Sequence, residues 1–178
     1  MALGAAAAAT LLPATAARAQ AAPATVVPHL RIKLGIFNPG DSSTRAFAGG
    51  TLPNGEIDAS VPESTSSGTS MLSIGYTEGR KDGRDFRDVP IGLSEVNFMG
   101  NPASGITGNV YLGGGAALHI IHVGGDGESS DKKVLGVFLQ GGYQTPTSFF
   151  IEAKYYIAGG TVDGLKTTGL AIFLGKKI

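Results

Sequence analysis

The chain has no cysteine and no tryptophan, and only 16% of its 178 residues are charged. Without cysteine there is no disulfide framework, thiolate nucleophile, cysteine-ligated zinc or lipid-modified N-terminal cysteine. Lys+Arg and Asp+Glu balance at 14 each, so no basic field exists to draw nucleic acid or an anionic surface. Beyond the leader, no stretch approaches the ~18 to 20 continuous apolar residues that a membrane-spanning helix needs. What the chain has in excess is glycine, 28 residues spread through apolar segments rather than gathered in a linker. That is more than twice the average usage of about 7% and puts glycine inside the ordered elements.

The start differs in composition from the rest. "MALGAAAAATLLPATAARAQAAPAT" is nearly all alanine around a short apolar centre, and Ala17-Arg18-Ala19 has the small-x-small pattern of a signal-peptidase site. The pattern predicts a signal peptide over residues 1–19, cleaved before Gln20, then a linker over 20–28 and one domain over 29–178. No charge precedes Arg18, so the usual basic n-region is missing; the alternative is an Ala/Pro tail or one short helix.

From His29 onward the hydrophobic signal has period two, the mark of strands with one apolar face. "HLRIKLGIF" sets Leu30, Ile32, Leu34 and Ile36 against His29, Arg31, Lys33 and Gly35. "TSMLSIGYTEGR" sets Leu72, Ile74 and Tyr76 against Ser73, Gly75 and Thr77. In "DVPIGLSEVNF" Val89, Ile91 and Leu93 share a face; the phase is lost at Glu95, predicting a bulge or strand end, and Pro90 is awkward in a central strand. "NVYLGGGAALHIIHV" places Val110, Leu112, Leu118 and Ile120 opposite Tyr111, Gly113, Gly115 and His119. "KVLGVFLQGGYQT" places Leu135, Val137, Leu139 and Tyr143 opposite Gly136, Phe138, Gln140 and Gln144. "SFFIEAKYYIAGG" has Phe149, Ile151, Ala153, Tyr155 and Ile157 on one face and Phe150, Glu152, Lys154 and Tyr156 on the other. "TTGLAIFLGKKI" closes with Leu170, Ile172 and Leu174 in phase with Ile178. An eighth strand is placed in "NGEIDASV", Asn54 to Val61, and "SSTRAF" has room for one helical turn. Turn chemistry fills "EGRKDGRD", "GNPASG", "GGDGESSD", "TPT" and "GGTVDG". Evenly spaced strands with tight turns predict an all-β fold, a single antiparallel up-and-down barrel of about eight strands.

Alternation alone does not say which face points inward. A soluble barrel needs a solvated outer face rich in Lys and Glu, whereas the polar faces here carry mostly Gly, Ala, Ser, Thr, Gln and aromatics. Such faces suit a narrow interior filled by side chains, with the apolar faces turned to lipid over the ~9 to 11 residues of a tilted transmembrane strand. Arg31, Lys33, Glu152 and Lys154 would then form a mixed-sign lumen network, with Tyr111, His119, Gln140 and Tyr156 as further polar lumen residues. With both termini on the periplasmic side, "GNPASG" and "TPT" become short inner turns, and "EGRKDGRD" and "GGDGESSD" longer outer loops.

The strand "VYLGGGAALHI", the segment "FFIEAKYYIAGG" and the closing "GLKTTGLAIFLGKKI" resemble those of small, eight-stranded bacterial outer-membrane β-barrel proteins. The resemblance covers the second half of the chain well and residues 38–66 poorly. It implies a place in the outer membrane and insertion by the barrel-insertion machinery, which in that family reads an aromatic residue at the end of the last strand. Here Ile178 stands in that phase.

No catalytic, metal or cofactor set emerges. His119 and His122 lie three apart, which on a strand sends them to opposite faces. No serine sits two residues from a histidine, "LGGGAA" lacks the helix of a phosphate loop, and "GDGESSD" misses the calcium-loop spacing. The expected function is a structural or surface-exposed, monomeric barrel with its lumen plugged and the bilayer as its partner. Two rivals are a soluble lipocalin-like barrel holding an apolar ligand and a lipid-modifying barrel enzyme. The first requires Leu30, Ile32, Leu135, Val137, Ile151 and Tyr155 to point inward; the second gains from a serine or acid beside His119 on an adjacent strand.

Overall fold

The computed structural model describes residues 29–61, 68–99, 108–125 and 127–178. The expected signal peptide and linker lie outside the described residues, as does "GNPASG". Eight strands run in sequence: β1 Leu30–Pro39, β2 Leu52–Ser60, β3 Thr69–Lys81, β4 Arg84–Met99, β5 Asn109–Gly125, β6 Glu128–Gln144, β7 Phe149–Ala158 and β8 Gly169–Lys177. Each pairs antiparallel with the next, and β8 returns to β1 through pairs such as Leu34 with Leu174, closing an up-and-down barrel.

The two faces separate through the middles of the strands. On β7 exposed and buried residues alternate without interruption, and β1, β6 and β8 do the same through their middles. Leu30, Ile32, Leu135, Val137, Ile151 and Tyr155 all face outward, from 40% exposed at Leu30 to 72% at Leu135. This orientation excludes the lipocalin-like arrangement, because the apolar face is the exterior. In water so large a continuous apolar surface would be untenable; against hydrocarbon it is the expected surface, and β-strands closed into a barrel leave no edge unpaired there. The exterior is that of a transmembrane barrel.

Inside, glycines make room for rings. A Cβ on Gly142 would sit 2.5 Å from the Tyr111 hydroxyl, and one on Gly175 would collide with the Phe150 ring. Each ring therefore lies across a neighbouring strand's bare backbone, which is how an eight-stranded barrel fits large side chains into a narrow bore.

Several expectations need correction. No bulge or strand end occurs at Glu95: β4 continues to Met99, pairing residue for residue with β5 from Asp85 with Gly124 to Met99 with Val110. Glu95 faces outward and Val96 inward, so the phase is kept. Pro90 does sit within a strand. It faces Gly75 of β3, whose missing side chain leaves space for the ring, since a Cβ there would be 2.9 Å from Pro90 Cγ.

Two of the expected long outer loops are instead tight hairpins, while "TPT" is the short turn expected between β6 and β7. At the end of the barrel away from its termini, here the far end, "EGRKDGRD" is almost entirely strand, with only Asp82 and Gly83 between β3 and β4. Asp82 (φ 51°) and Gly83 (φ 77°) are both left-handed, as a two-residue Asp-Gly hairpin requires. Likewise β5 and β6 are separated by residues 126 and 127 alone. The longer connections 61–68 and 100–108 lie at the termini end.

On the other half of the far rim the strands are shorter and the connections fold inward. One holds α1, Ser42–Ala48, longer than the single turn expected; Asp41 caps it, its side chain accepting from the Thr44 N–H at 2.9 Å. The other, residues 159–168, is pinned to α1 through Thr44, whose hydroxyl donates to the Lys166 carbonyl at 3.0 Å and accepts from the Lys166 N–H at 2.9 Å. These two connections lower Ala48, Val162 and Leu165 onto Leu52, Phe86, Val123 and Val134, forming an apolar cap over the far end of the lumen.

Candidate functional site in the barrel lumen

Alternation on β1, β2 and β7 sends one charged or polar side chain after another inward, and below the cap they meet at one level. Glu152 Oε2 accepts from Arg31 Nη2 at 2.8 Å and from the Tyr111 hydroxyl at 2.8 Å, while its Oε1 accepts from Lys33 Nζ at 2.7 Å. Lys33 also reaches Glu56 Oε1 at 2.5 Å and Asp58 Oδ2 at 2.9 Å. Lys154 Nζ donates to Glu56 Oε1 at 2.8 Å, and the Tyr156 hydroxyl to Glu56 Oε2 at 2.7 Å. Arg31 lies 3.6 Å from Asp58 and 4.0 Å over the Phe150 ring; Lys154 lies 4.0 Å over Phe138.

Three cations, Arg31, Lys33 and Lys154, thus face three carboxylates, Glu56, Asp58 and Glu152, all between 1% and 3% exposed. Removing six charges from water costs several kcal/mol each, so the arrangement persists only because each charge has opposite partners and hydrogen bonds at contact distance. A water-filled pore would leave such side chains solvated. Here they are packed against each other and roofed by rings, so no solvent column passes this level.

The remaining polar positions pair locally. His119 Nδ1 is 2.8 Å from Asp88 Oδ2, and its ring packs edge-on to Tyr156 at 5.4 Å. Gln140 Nε2 donates to Ser94 Oγ at 3.3 Å. His122 faces the other way and lies 2.8 Å from Asp131 on the exterior.

All eight lumen residues singled out in the sequence therefore lie inside the barrel. Glu56, Asp58 and Asp88 were missed; the first two are two of the three carboxylates of the ring, and the third is the partner of His119. Their signal was in the polar members of the weakest strands: Asn54, Glu56, Asp58 and Ser60 fall on one parity, as do Asp88, Pro90, Gly92 and Ser94.

The acid beside His119 is the neighbour that would favour a lipid-modifying enzyme. Its setting argues otherwise. His119 and Asp88 are almost wholly buried, facing the lumen, with His119 Nε2 enclosed and unpartnered. A lipid ester in the bilayer has no route to that nitrogen.

No protein-family profile and no curated protein sequence matches the chain. Comparison with solved structures finds the same fold at low sequence identity. The crystal structure of Neisserial surface protein A (NspA) superposes with a TM-score of 0.67 at 15% identity, covering 85% of this chain and 96% of that one. The crystal structure of the outer membrane enzyme PagL gives a TM-score of 0.50 at 13% identity, covering 83% of this chain and 98% of that one. The N-terminal β-barrel domain of Pseudomonas aeruginosa OprF gives 0.49 at 17% identity, with 84% and 95% covered. The chain has the fold of the small eight-stranded outer-membrane barrels, with an exterior suited to a bilayer.

Proposed function

We propose that this protein is a sealed, non-catalytic outer-membrane barrel, acting through its structure and its exposed far rim rather than by transport or lipid chemistry. The observation that carries the reading is the closed ionic ring: Arg31, Lys33, Glu56, Glu152 and Lys154 are at most 3% exposed in the middle of the bore. With both barrel termini on the periplasmic side, the far rim with α1 and the two tight hairpins faces the outside. The barrel-insertion machinery delivers it there through its last strand, β8, whose Leu170, Ile172 and Leu174 face outward. The barrel works as a monomer, since closure leaves no strand of the membrane-spanning wall unpaired.

The enzymatic alternative draws on the structural likeness to PagL and on the His119–Asp88 pair. Burial of that pair weighs against it. Reconstitution decides between the readings: in planar bilayers the refolded protein is expected to show no discrete channel openings, and in mixed vesicles to release no fatty acid. Stable conductance steps, or lipid hydrolysis abolished by His119→Ala, would overturn the proposal.

A further inference from the structure

The far rim is uneven in height. The ladder between β6 and β7 ends with Gly136 opposite Ala158, yet β6 runs on to Glu128, its ladder continuing with β5 alone. The β5–β6 hairpin and the adjoining start of β4 therefore stand beyond the cap as a wall. Its inner face carries the residues of lumen parity: Arg84 on β4, Val123 and Gly125 on β5, and Glu128 and Ser130 on β6. Phe47 of α1 and Asp163 of the connection 159–168 meet this face and enclose a cleft of about 330 Å³.

The polar groups of the cleft are not paired with each other. On the outer face of the same wall, Arg80 is bonded to Glu78 and Asp85, Arg87 to Asp85, and His122 to Asp131. Inside the cleft, the side chains of Arg84, Glu128, Ser130 and Asp163 have no hydrogen-bond or ion-pair partner among the described residues. Arg84 is held only by stacking on Phe47, its guanidinium carbon 5.5 Å from the ring centroid. The floor is apolar, formed by buried Val123 and by half-buried Phe47 packed on the cap. Gly125 keeps the backbone beside Arg84 bare, since a Cβ there would crowd Arg84 Cγ at 3.1 Å.

We infer that this cleft binds a single neutral sugar ring. This deepens, and rests on, the proposal that the protein acts through its exposed far rim. The mixture of charges selects the class of ligand. A small anion would face Glu128 and Asp163, and a small cation would face Arg84. An uncharged polyhydroxylated ring meets neither repulsion. Its O–H groups donate to the two carboxylates, its oxygens accept from the guanidinium and the Ser130 hydroxyl, and its C–H face rests on Val123 and Phe47. The volume lies at the lower end of the ~300–1,000 Å³ typical of ligand sites, which suits one ring better than an extended peptide.

The test is saturation-transfer NMR and titration of the refolded protein in detergent. The neutral probes are the methyl glycosides of glucose, mannose and galactose; glucuronate and glucosamine supply the anionic and cationic arms. At least one neutral glycoside is expected to bind saturably at roughly millimolar affinity, the scale for a ligand of about a dozen non-hydrogen atoms. Glu128→Gln and Asp163→Asn each remove a carboxylate while keeping its shape, and asparagine suits the left-handed backbone at that turn (φ 48°). Each should weaken binding about tenfold, the effect of losing a charged hydrogen-bond partner. Gly125→Leu fills the cleft and should abolish binding, whereas Arg80→Gln, on the outer face, should match the wild type. Heat-modifiable migration checks that each variant forms a barrel; if Gly125→Leu does not, the two carboxamide variants still carry the test. No saturable binding of any neutral glycoside, equal affinity in the wild type and the carboxamide variants, or tighter binding of glucuronate or glucosamine would overturn the inference. Channel openings or lipid hydrolysis in the reconstitution above would sink the sealed-barrel proposal instead, so the two failures are distinguishable.

Discussion

Between its termini end and its far end the lumen changes filling, from a ring of six charges to a cap of hydrocarbon. Arg31, Lys33, Glu56, Asp58, Glu152 and Lys154 occupy the first half, while Leu52, Phe86, Ile121, Val123, Val134, Val162 and Leu165 occupy the second. Both close the same bore, and both are almost wholly buried. They differ in how failure spreads. In the cap, each side chain contributes through area and packing, so losses should scale with the atoms removed. In the ring, every carboxylate serves two or three cations or hydroxyls, so one deletion strands partners that have no other recourse.

The sharpest test of this difference is Glu152→Leu, which removes the carboxylate that Arg31 and Lys33 share while keeping the volume filled. Denaturant unfolding followed by far-UV circular dichroism should show a loss of about 3 to 5 kcal/mol, the cost of leaving a buried charge uncompensated. Adding Arg31→Met to Glu152→Leu leaves Lys33 and Lys154 facing Glu56 and Asp58, two against two, and should recover much of that loss. Unchanged stability in the single variant would mean that the ring is not the electrostatic unit described.

Next come the graded effects in the cap. Leu52→Ala removes most of a side chain that is 2% exposed and should cost about 3 kcal/mol, whereas Ile121→Val should cost about 1 kcal/mol, by the same unfolding measurement. If the two were equally destabilising, the cap would share the all-or-none character of the ring and the contrast would collapse.

The smallest effect belongs to α1, outside the membrane. Two hydrogen bonds from Thr44, through its N–H and its hydroxyl, hold the Asp41 carboxyl below its usual range. A carboxyl with a depressed folded-state pKa contributes stability above its unfolded value near 3.9, and loses it as pH falls toward and through the folded value. Amide exchange within residues 42–48 should therefore accelerate below about pH 4 in the wild type and be fast at neutral pH in Asp41→Ala, a local change of about 1 kcal/mol. Exchange that ignores both pH and the substitution would show that the helix is held by Thr44 and Lys166 alone.

How much of this was legible in sequence depended on which face carried the signal. On β1, β5, β6, β7 and β8 the outward residues are nearly all large and apolar, so the alternation stands out and the lumen side follows by parity. On β2 the outward set is Pro53, Gly55, Ile57 and Ala59, which hardly registers as an apolar face. The strand could be placed only approximately, and its inward Glu56 and Asp58 were overlooked for that reason. The apparent loss of phase at Glu95 has a different origin. That strand had reached the membrane boundary, where an outward residue has no reason to be apolar, while inward Val96 kept the period. The loops were misjudged because Gly, Asp, Lys and Arg mark both flexible connections and strands that leave the bilayer. The Asp82-Gly83 dipeptide was the decisive local clue to a two-residue hairpin. No pattern within one strand could show that Asp88 meets His119, since that pairing depends on register across two strands.

The two tight hairpins also decide what a protease or an antibody meets at the far rim. Arg80, Lys81 and Arg84 look like cleavage sites in the sequence, but the backbone of each is paired across the β3–β4 ladder, where Arg80 opposes Asp85 and Lys81 opposes Arg84. A protease must bind its target chain extended and unpaired, and a two-residue turn offers no such length. An antibody raised against a peptide copied from this region would likewise seek a shape that the folded wall does not adopt. The far rim of this barrel is therefore best recognised as a rigid, folded relief rather than as a linear string of residues.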